Sequence, residues 1–258
     1  MNDWLVDTHA HLTASEFDSD RDTVLSRARA AGVGFVLAVS ETLEDAKANL
    51  ALAAVHPDMV RPLAGLHPEY PDTAQARQLV EWIREHRQQL AGIGEVGLDY
   101  WRVEDEDARQ RQRASFESFI DLSLELDLPL NVHSRSAGER TVACLLERGA
   151  RRVQLHAFDG RASKAMPAVE AGYYFSVPPS IVRSPQKQKL VKRLPLRCLL
   201  LETDSPVLGP VPGERNEPAN LVISLRAIAE IKGIHEEEVR SAVVGNTRQL
   251  WGLPARNE

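Results

Sequence analysis

Five of the eight histidines in this 258-residue chain stand in short segments with or near carboxylates. His9 and His11 belong to Asp7-Thr8-His9-Ala10-His11, Glu95 and Asp99 to Gly94-Glu95-Val96-Gly97-Leu98-Asp99, and Asp204 to Glu202-Thr203-Asp204-Ser205-Pro206. His67 follows Gly65-Leu66, His133 opens His133-Ser134-Arg135, and His156 opens His156-Ala157-Phe158. Imidazole nitrogens and carboxylate oxygens suit a borderline divalent ion such as Zn²⁺, Mn²⁺, Fe²⁺, Co²⁺ or Ni²⁺. One catalytic zinc ordinarily takes about three protein ligands and keeps a position open, so a larger set points to two ions. On that reading His9, His11 and Asp204 hold the first ion, His133 and His156 hold the second, and the two oxygens of Glu95 bridge them. Ions about 3.5–4 Å apart would share a hydroxide, a nucleophile available at neutral pH. A lone His-x-His says little; the argument is the joint set.

The elements that must position these residues follow from hydrophobic periodicity. Each segment comes after a short apolar run: residues 4–6, 60–66, 91–95, 128–132, 152–155 and 199–201, with two further runs at 33–39 and 173–177. Helical patterns alternate with them at 23–31, 43–55, 72–87, 108–126, 141–147, 162–170 and 186–192, and two more close the chain at 219–231 and 236–250. Eight strands, each followed by a helix, predict a single α/β unit, a (β/α)₈ TIM barrel spanning residues 1–258. Catalytic groups of that architecture stand at the carboxyl ends of the strands. A doubly wound open sheet is the alternative, and the absence of Gly-x-Gly-x-x-Gly after the first strand weighs against its dinucleotide-binding form. Alternation along a strand puts His9 and His11 on one side, within reach of one ion. His56, His86 and His235 fall in helices or loops and read as surface residues.

Composition narrows the function classes. The net charge of −6 disfavours a protein held on nucleic acid by a broad basic face, although a few arginines or metal ions can still bind a phosphate. Cys144 and Cys198 lie in apolar runs and read as buried thiols rather than a disulfide framework. The opening Met1-Asn2-Asp3-Trp4 carries no basic stretch or apolar segment, and no run of 18 apolar residues occurs. A reducing cytoplasm is the expected compartment, with no membrane partner and no obligate protein partner.

The ordered segments resemble the TatD family of metal-dependent deoxyribonucleases and hydrolases, within the amidohydrolase-like barrels. They include His156-Ala157-Phe158-Asp159-Gly160 and, near the end, Gly245-Asn246-Thr247-Arg248-Gln249-Leu250-Trp251, where the family usually has Phe in place of Trp251. Leu130-Asn131-Val132-His133-Ser134-Arg135-Ser136-Ala137-Gly138, Phe175-Ser176-Val177-Pro178-Pro179-Ser180 and Arg215-Asn216-Glu217-Pro218 resemble its TatD domain-containing protein 3 branch. Asp159 stands where the common pattern has Thr or Ser, which alters the rim but not the metal set. The resemblance implies a divalent-metal hydrolase, often exonucleolytic on DNA and dependent on a metal such as Mg²⁺. It also implies an alternative, since some members are described as D-aminoacyl-tRNA deacylases; aminoacyl-tRNA is then the partner in place of DNA.

Roles can be set beside these ligands. Asp204 could hold a metal and accept the nucleophile's proton, an arrangement that resembles the amidohydrolases. Arg135 offers a planar fork for a phosphate, or else an ion pair with a rim carboxylate. His67 could donate to a phosphate or protonate a leaving oxygen, could join a third ion, or could simply pack. Asp99 could orient a ligand histidine, and Glu202, two residues before Asp204, could do the same or set the cavity's charge. Lys187, Lys189, Lys192 and Arg193 form a basic cluster that reads chiefly as a solvated helix face. Tyr100 and Trp101 could stack on a base or pack their loop; Arg215 and Asn216 could touch substrate or cap a helix.

Overall fold

The computed structural model describes residues 4–253. The reading of Met1-Asn2-Asp3 and the outer limits of the expected 1–258 unit therefore lie outside the described residues.

Strands and helices alternate as β1 (Leu5–Ala10), α1 (Arg21–Ala30), β2 (Val33–Ala38), α2 (Leu43–Val55), β3 (Val60–Ala64), α3 (Thr73–His86), β4 (Gly92–Gly97) and α4 (Glu106–Leu126). The order continues with β5 (Leu130–His133), α5 (Gly138–Glu147), β6 (Val153–Leu155), α6 (Ala162–Glu170), β7 (Tyr174–Val177), α7 (Pro185–Arg193), β8 (Leu199–Leu201), α8 (Leu221–Lys232) and α9 (Glu236–Trp251). All eight strands are parallel and pair in sequence order. The ring closes beyond β8, where Ala10 bridges Ser205, the Asp204 amide donates to the His9 carbonyl at 2.9 Å and the His11 amide donates to Ser205 at 2.8 Å. The expected barrel is the one observed; the open-sheet alternative is not.

Local chemistry explains the punctuation. Thr42, Asp72, Asp105 and Ser184 each accept a backbone N–H in the first turn of α2, α3, α4 and α7, satisfying donors that a helix start leaves unpaired. Gly233 and Gly252 end α8 and α9 with left-handed φ of 65° and 63°. Two apolar layers result from strand alternation. The outer one joins Val33, Val36 and Ala38 to helix residues such as Leu25 and Ile83. The inner one gathers Leu37, Val39, Leu63, Tyr174 and Leu200 beneath Leu250 and Trp251 of α9.

Strand β1 is longer than its apolar run suggested. Asp7, Thr8 and His9 lie inside it, fully buried, because their polar groups find partners across the closure. Thr8 Oγ1 donates to the Leu201 carbonyl at 2.8 Å and the Thr203 amide donates to Asp7 Oδ1 at 2.8 Å. Above the inner apolar layer a polar chain climbs toward the strand ends. Trp251 Nε1 donates to Gln154 Oε1 at 3.0 Å, Gln154 Nε2 to Ser176 Oγ at 2.9 Å, and Ser176 Oγ to Glu202 Oε2 at 2.5 Å.

Candidate metal centre

The carboxyl ends of β1, β3, β4, β5, β6 and β8 converge on a cleft of about 490 Å³. Its lining includes His11, His67, Glu95, His133, Arg135, His156 and Asp204, and His9 lies fully buried beneath. The six expected metal ligands, with His67 and Arg135, are thus brought to one place. Close backbone approach makes this possible: Gly97, at φ 149°, lies so near β5 that a Cβ would run into the His133 carbonyl.

Glu95 stands at the middle. Its Oε1 lies 2.6 Å from His133 Nδ1 and 2.9 Å from His156 Nε2. Its Oε2 lies 3.4 Å from His9 Nε2 and 3.5 Å from His11 Nε2. Asp204 Oδ1 completes the second of these groups at 3.4 Å from both His9 Nε2 and His11 Nε2. Three sets, His9–Glu95–His156, His9–His11–Asp204 and His67–Asp99–His133, each bring one donor atom per residue within 4.8 Å of the others.

Outer partners fix how the rings face. His9 Nδ1 donates to Asn131 Oδ1 at 2.8 Å and His133 Nε2 donates to Asp99 Oδ2 at 3.0 Å. A ring that donates outward presents its other nitrogen inward as a lone pair. His11 Nδ1 faces Glu41 Oε1 at 3.7 Å, and His156 Nδ1 faces Glu202 Oε2 at 3.6 Å. Inside the ring of donors, His9 Nε2 meets His11 Nε2 at 3.3 Å and His133 Nδ1 meets His156 Nε2 at 3.3 Å. Nitrogens facing each other at that distance need a hydrogen or a metal ion between them, and here imidazole and carboxylate donors turn toward one space. The donor set therefore fits divalent ions.

Electrostatics describes the proton-filled state. Burial alone would raise the Glu95 carboxyl, but the imidazoles of His156, His9, His67 and His133 hold it well below the usual range. Burial opposes charge on His133 too, yet Glu95 and Asp99 hold its pKa up to about 9. His9 is raised against its burial by Glu95 and Asp204. Asp204 is lowered against its burial by hydrogen bonds from His11 and His9. His67 behaves oppositely: burial pushes it down to about 4. Its Nδ1 accepts from the Glu69 amide at 3.2 Å, so Nε2 carries the hydrogen and faces Glu95 Oε1 at 3.8 Å.

Other expected residues divide. Arg135 lines the cleft and forms no ion pair among the described residues; its guanidinium lies 5.2 Å above the centre of the Trp101 ring. Trp101 is 61% exposed on the rim, whereas Tyr100 packs under Arg109. Arg215 pairs with Asp20 outside the cleft, and Asn216 donates to the carbonyls of Thr203 and Val207, pinning the loop after β8. Glu202 accepts from the Ala157 amide at 2.8 Å as well as from Ser176. The basic cluster splits: Lys187 turns into the cleft while Lys189, Lys192 and Arg193 are exposed. Cys144 and Cys198 are buried and unpaired with each other. His56 and His86 are half-buried, the first paired with Asp22 and the second stacked on Trp82. Sequence reasoning passed over Asn131 and Glu41. A polar residue in the middle of the apolar β5, and a carboxylate just past the end of β2, were the available signals.

A closed parallel barrel with imidazoles and carboxylates at its strand ends defines a TIM barrel with a candidate metal centre. The profile described as TatD related DNase matches residues 6–252, and the chain belongs to that family. It is 45% identical to Deoxyribonuclease TATDN3 of Homo sapiens over 96% of this chain and 94% of that one. It is 30% identical to the 3'-5' ssDNA/RNA exonuclease TatD of Erwinia tasmaniensis over 96% and 100% of the two chains. The solved structure of YjjV, a TatD homologue from Escherichia coli, superposes with a TM-score of 0.90 at 27% identity, covering 98% of this chain and 100% of that one.

Proposed function

We propose that this protein is a divalent-metal-dependent phosphodiester hydrolase, a deoxyribonuclease that works from DNA ends, with two ions in its centre. The observation that carries the reading is Glu95, whose Oε1 faces His133 and His156 while Oε2 faces His9 and His11. In this reading His9, His11 and Asp204 would hold one ion and His133 and His156 the other, with Glu95 as the carboxylate shared between the two groups. When bound, such ions activate water and neutralise charge on a phosphate.

The chain's own residues do the rest. Asp204 turns Oδ1 toward His9 and His11 and has Oδ2 left to accept the attacking water's proton. Arg135, without a carboxylate partner among the described residues, presents its fork to a phosphate oxygen, and Trp101 beneath it holds the guanidinium in place. His67, kept neutral by burial, donates from Nε2 to a phosphate oxygen and does not supply a proton. The named nucleases among the relatives support DNA as the substrate class. No helix among the described residues is long and apolar enough to cross a membrane. We place the activity in the cytoplasm, a reading supported by two buried free thiols, and treat the whole chain as one catalytic unit.

The test is reconstitution. Metal-loaded protein should hold close to two ions per chain and shorten end-labelled DNA, whereas Glu95→Ala should lower the ion count and abolish turnover. Two ions retained at unchanged affinity in Glu95→Ala would remove the bridge. Cleavage of a charged D-aminoacyl-tRNA panel with no cleavage of DNA would replace the substrate.

A further inference from the structure

Lys187 sits in the first turn of α7, whose cap Ser184 accepts the Lys187 amide at 3.3 Å. Unlike Lys189, Lys192 and Arg193, it is half-buried, and it lines the same cleft as Glu95, His156 and Asp204. An ammonium has three N–H donors. Among the described residues its one hydrogen-bond acceptor is the Ala157 carbonyl, at 3.3 Å, and Glu202, Asp204 and Asp159 act on it only at longer range. Two N–H groups of a cation that lines the cleft are therefore left without an acceptor among the described residues. Burying a lysine in this way is unfavourable unless something anionic meets it.

The backbone is arranged to aim it. Ala157 follows His156 and adopts a left-handed φ of 38°, a conformation unfavourable for a non-glycine residue. That bend sends the Ala157 amide to Glu202 and the Ala157 carbonyl to Lys187. The residue beside a candidate metal ligand thus holds the lysine head at the wall of the cleft that the centre occupies. Water alone would solvate such a head better at the surface, where its three basic neighbours on α7 already lie.

We propose that Lys187 is a substrate-contacting residue, whose ammonium donates to a non-bridging oxygen of the phosphate held at the centre. The proposal rests on the phosphodiesterase reading above. Arg135 and Lys187 line one cleft, so the phosphate would meet a fork and a point charge, a pair that favours an anionic substrate over a neutral ester.

The experiment compares the metal-loaded protein with Lys187→Met and Lys187→Arg. It measures three quantities: metal content, affinity for inorganic phosphate by calorimetry, and kcat and KM on end-labelled DNA. A charge-assisted hydrogen bond predicts that Lys187→Met binds phosphate about 10- to 100-fold more weakly and loses a similar factor in kcat/KM. Metal content should stay that of the wild type, and Lys187→Arg should recover part of the loss. Unchanged phosphate affinity in Lys187→Met overturns the proposal. So does a loss of metal in step with the loss of phosphate, because the lysine would then be supporting His156 through Ala157. Should wild type bind phosphate yet leave DNA intact, the phosphodiesterase reading fails, and phosphate affinity still decides the role of Lys187.

Discussion

Replacing Asp99 with Asn tests whether a proton placed outside the centre governs the centre itself. Asp99 Oδ1 accepts from the amides of Trp101 and Arg102, at 2.8 Å each, while Oδ2 receives His133 Nε2–H at 3.0 Å. In Asp99→Asn the amide oxygen must stay with the two backbone donors, so the NH₂ group turns toward His133. Nε2 then has to accept, which shifts the ring hydrogen to Nδ1, the nitrogen aimed at Glu95. A metal could bind there only after that tautomer is reversed. Loss of an outer partner ordinarily costs about 10–100-fold in metal affinity, or about 1.4–2.7 kcal/mol. Asp99→Ala provides the contrast: it deserts both loop amides and so lowers the unfolding temperature further, but it imposes no tautomer. Competition with a chromogenic chelator should therefore rank metal affinity as wild type, then Asp99→Ala, then Asp99→Asn. Thermal unfolding should place Asp99→Ala, not Asp99→Asn, last. Wild-type metal affinity in Asp99→Asn would refute the tautomer argument.

Asp204→Asn keeps an oxygen beside His9 and His11 but cannot take a proton; kcat should fall by about 10²–10⁴ in samples whose metal content, measured in parallel, remains full. Near-normal turnover at full occupancy would move the proton to another acceptor. Arg135→Lys keeps charge and loses the fork, so KM for DNA should rise with metal content unchanged, and an unaltered kcat/KM would dismiss the clamp. The pH dependence has a definite sign. His133 is raised from 6.5 to about 9 in the metal-free protein, so its contribution to stability is complete below pH 6.5 and disappears as pH climbs through 9. Metal ions displace the same protons and bind more tightly over that interval. The gain in unfolding temperature on adding metal should accordingly grow from pH 6 to pH 9, and a gain that shrinks would contradict the proton-filled network.

The barrel and most of the centre were legible because their signals are local. Strand runs such as 33–39 stand out by their apolarity, and the candidate site residues stand just past or at the end of such runs. The apolar run of β1 stops at Val6, and what carries the strand on through Asp7, Thr8 and His9 is partners far along the chain, Thr203, Leu201 and Asn131. Glu41 and Asn131 went unread for a related reason: neither carries a spacing pattern, and each acquires meaning only from the imidazole it faces. Lys187 shows the limit of composition. It shares a helix turn with other basic residues, and only the three-dimensional path of α7 separates the one that enters the cleft from those that do not.

The seam between β1 and the segment after β8 runs directly through the donor set. His9 and His11 lie on one side of it, Asp204 on the other, and the backbone bonds that join the two sides are made by these same residues. Glu95, His133 and His156 come instead from three consecutive strands, β4 to β6. The two candidate sites thus draw on different parts of the barrel. A chain that had folded its middle strands but not met its own beginning would possess the second donor group and lack the first. The backbone bonds that close the ring are made beside the residues that complete the first donor group, so an ion held there would act as a latch. It would favour the closed barrel in proportion to its free concentration, and a chelator would loosen the circle at the seam between β1 and the segment after β8.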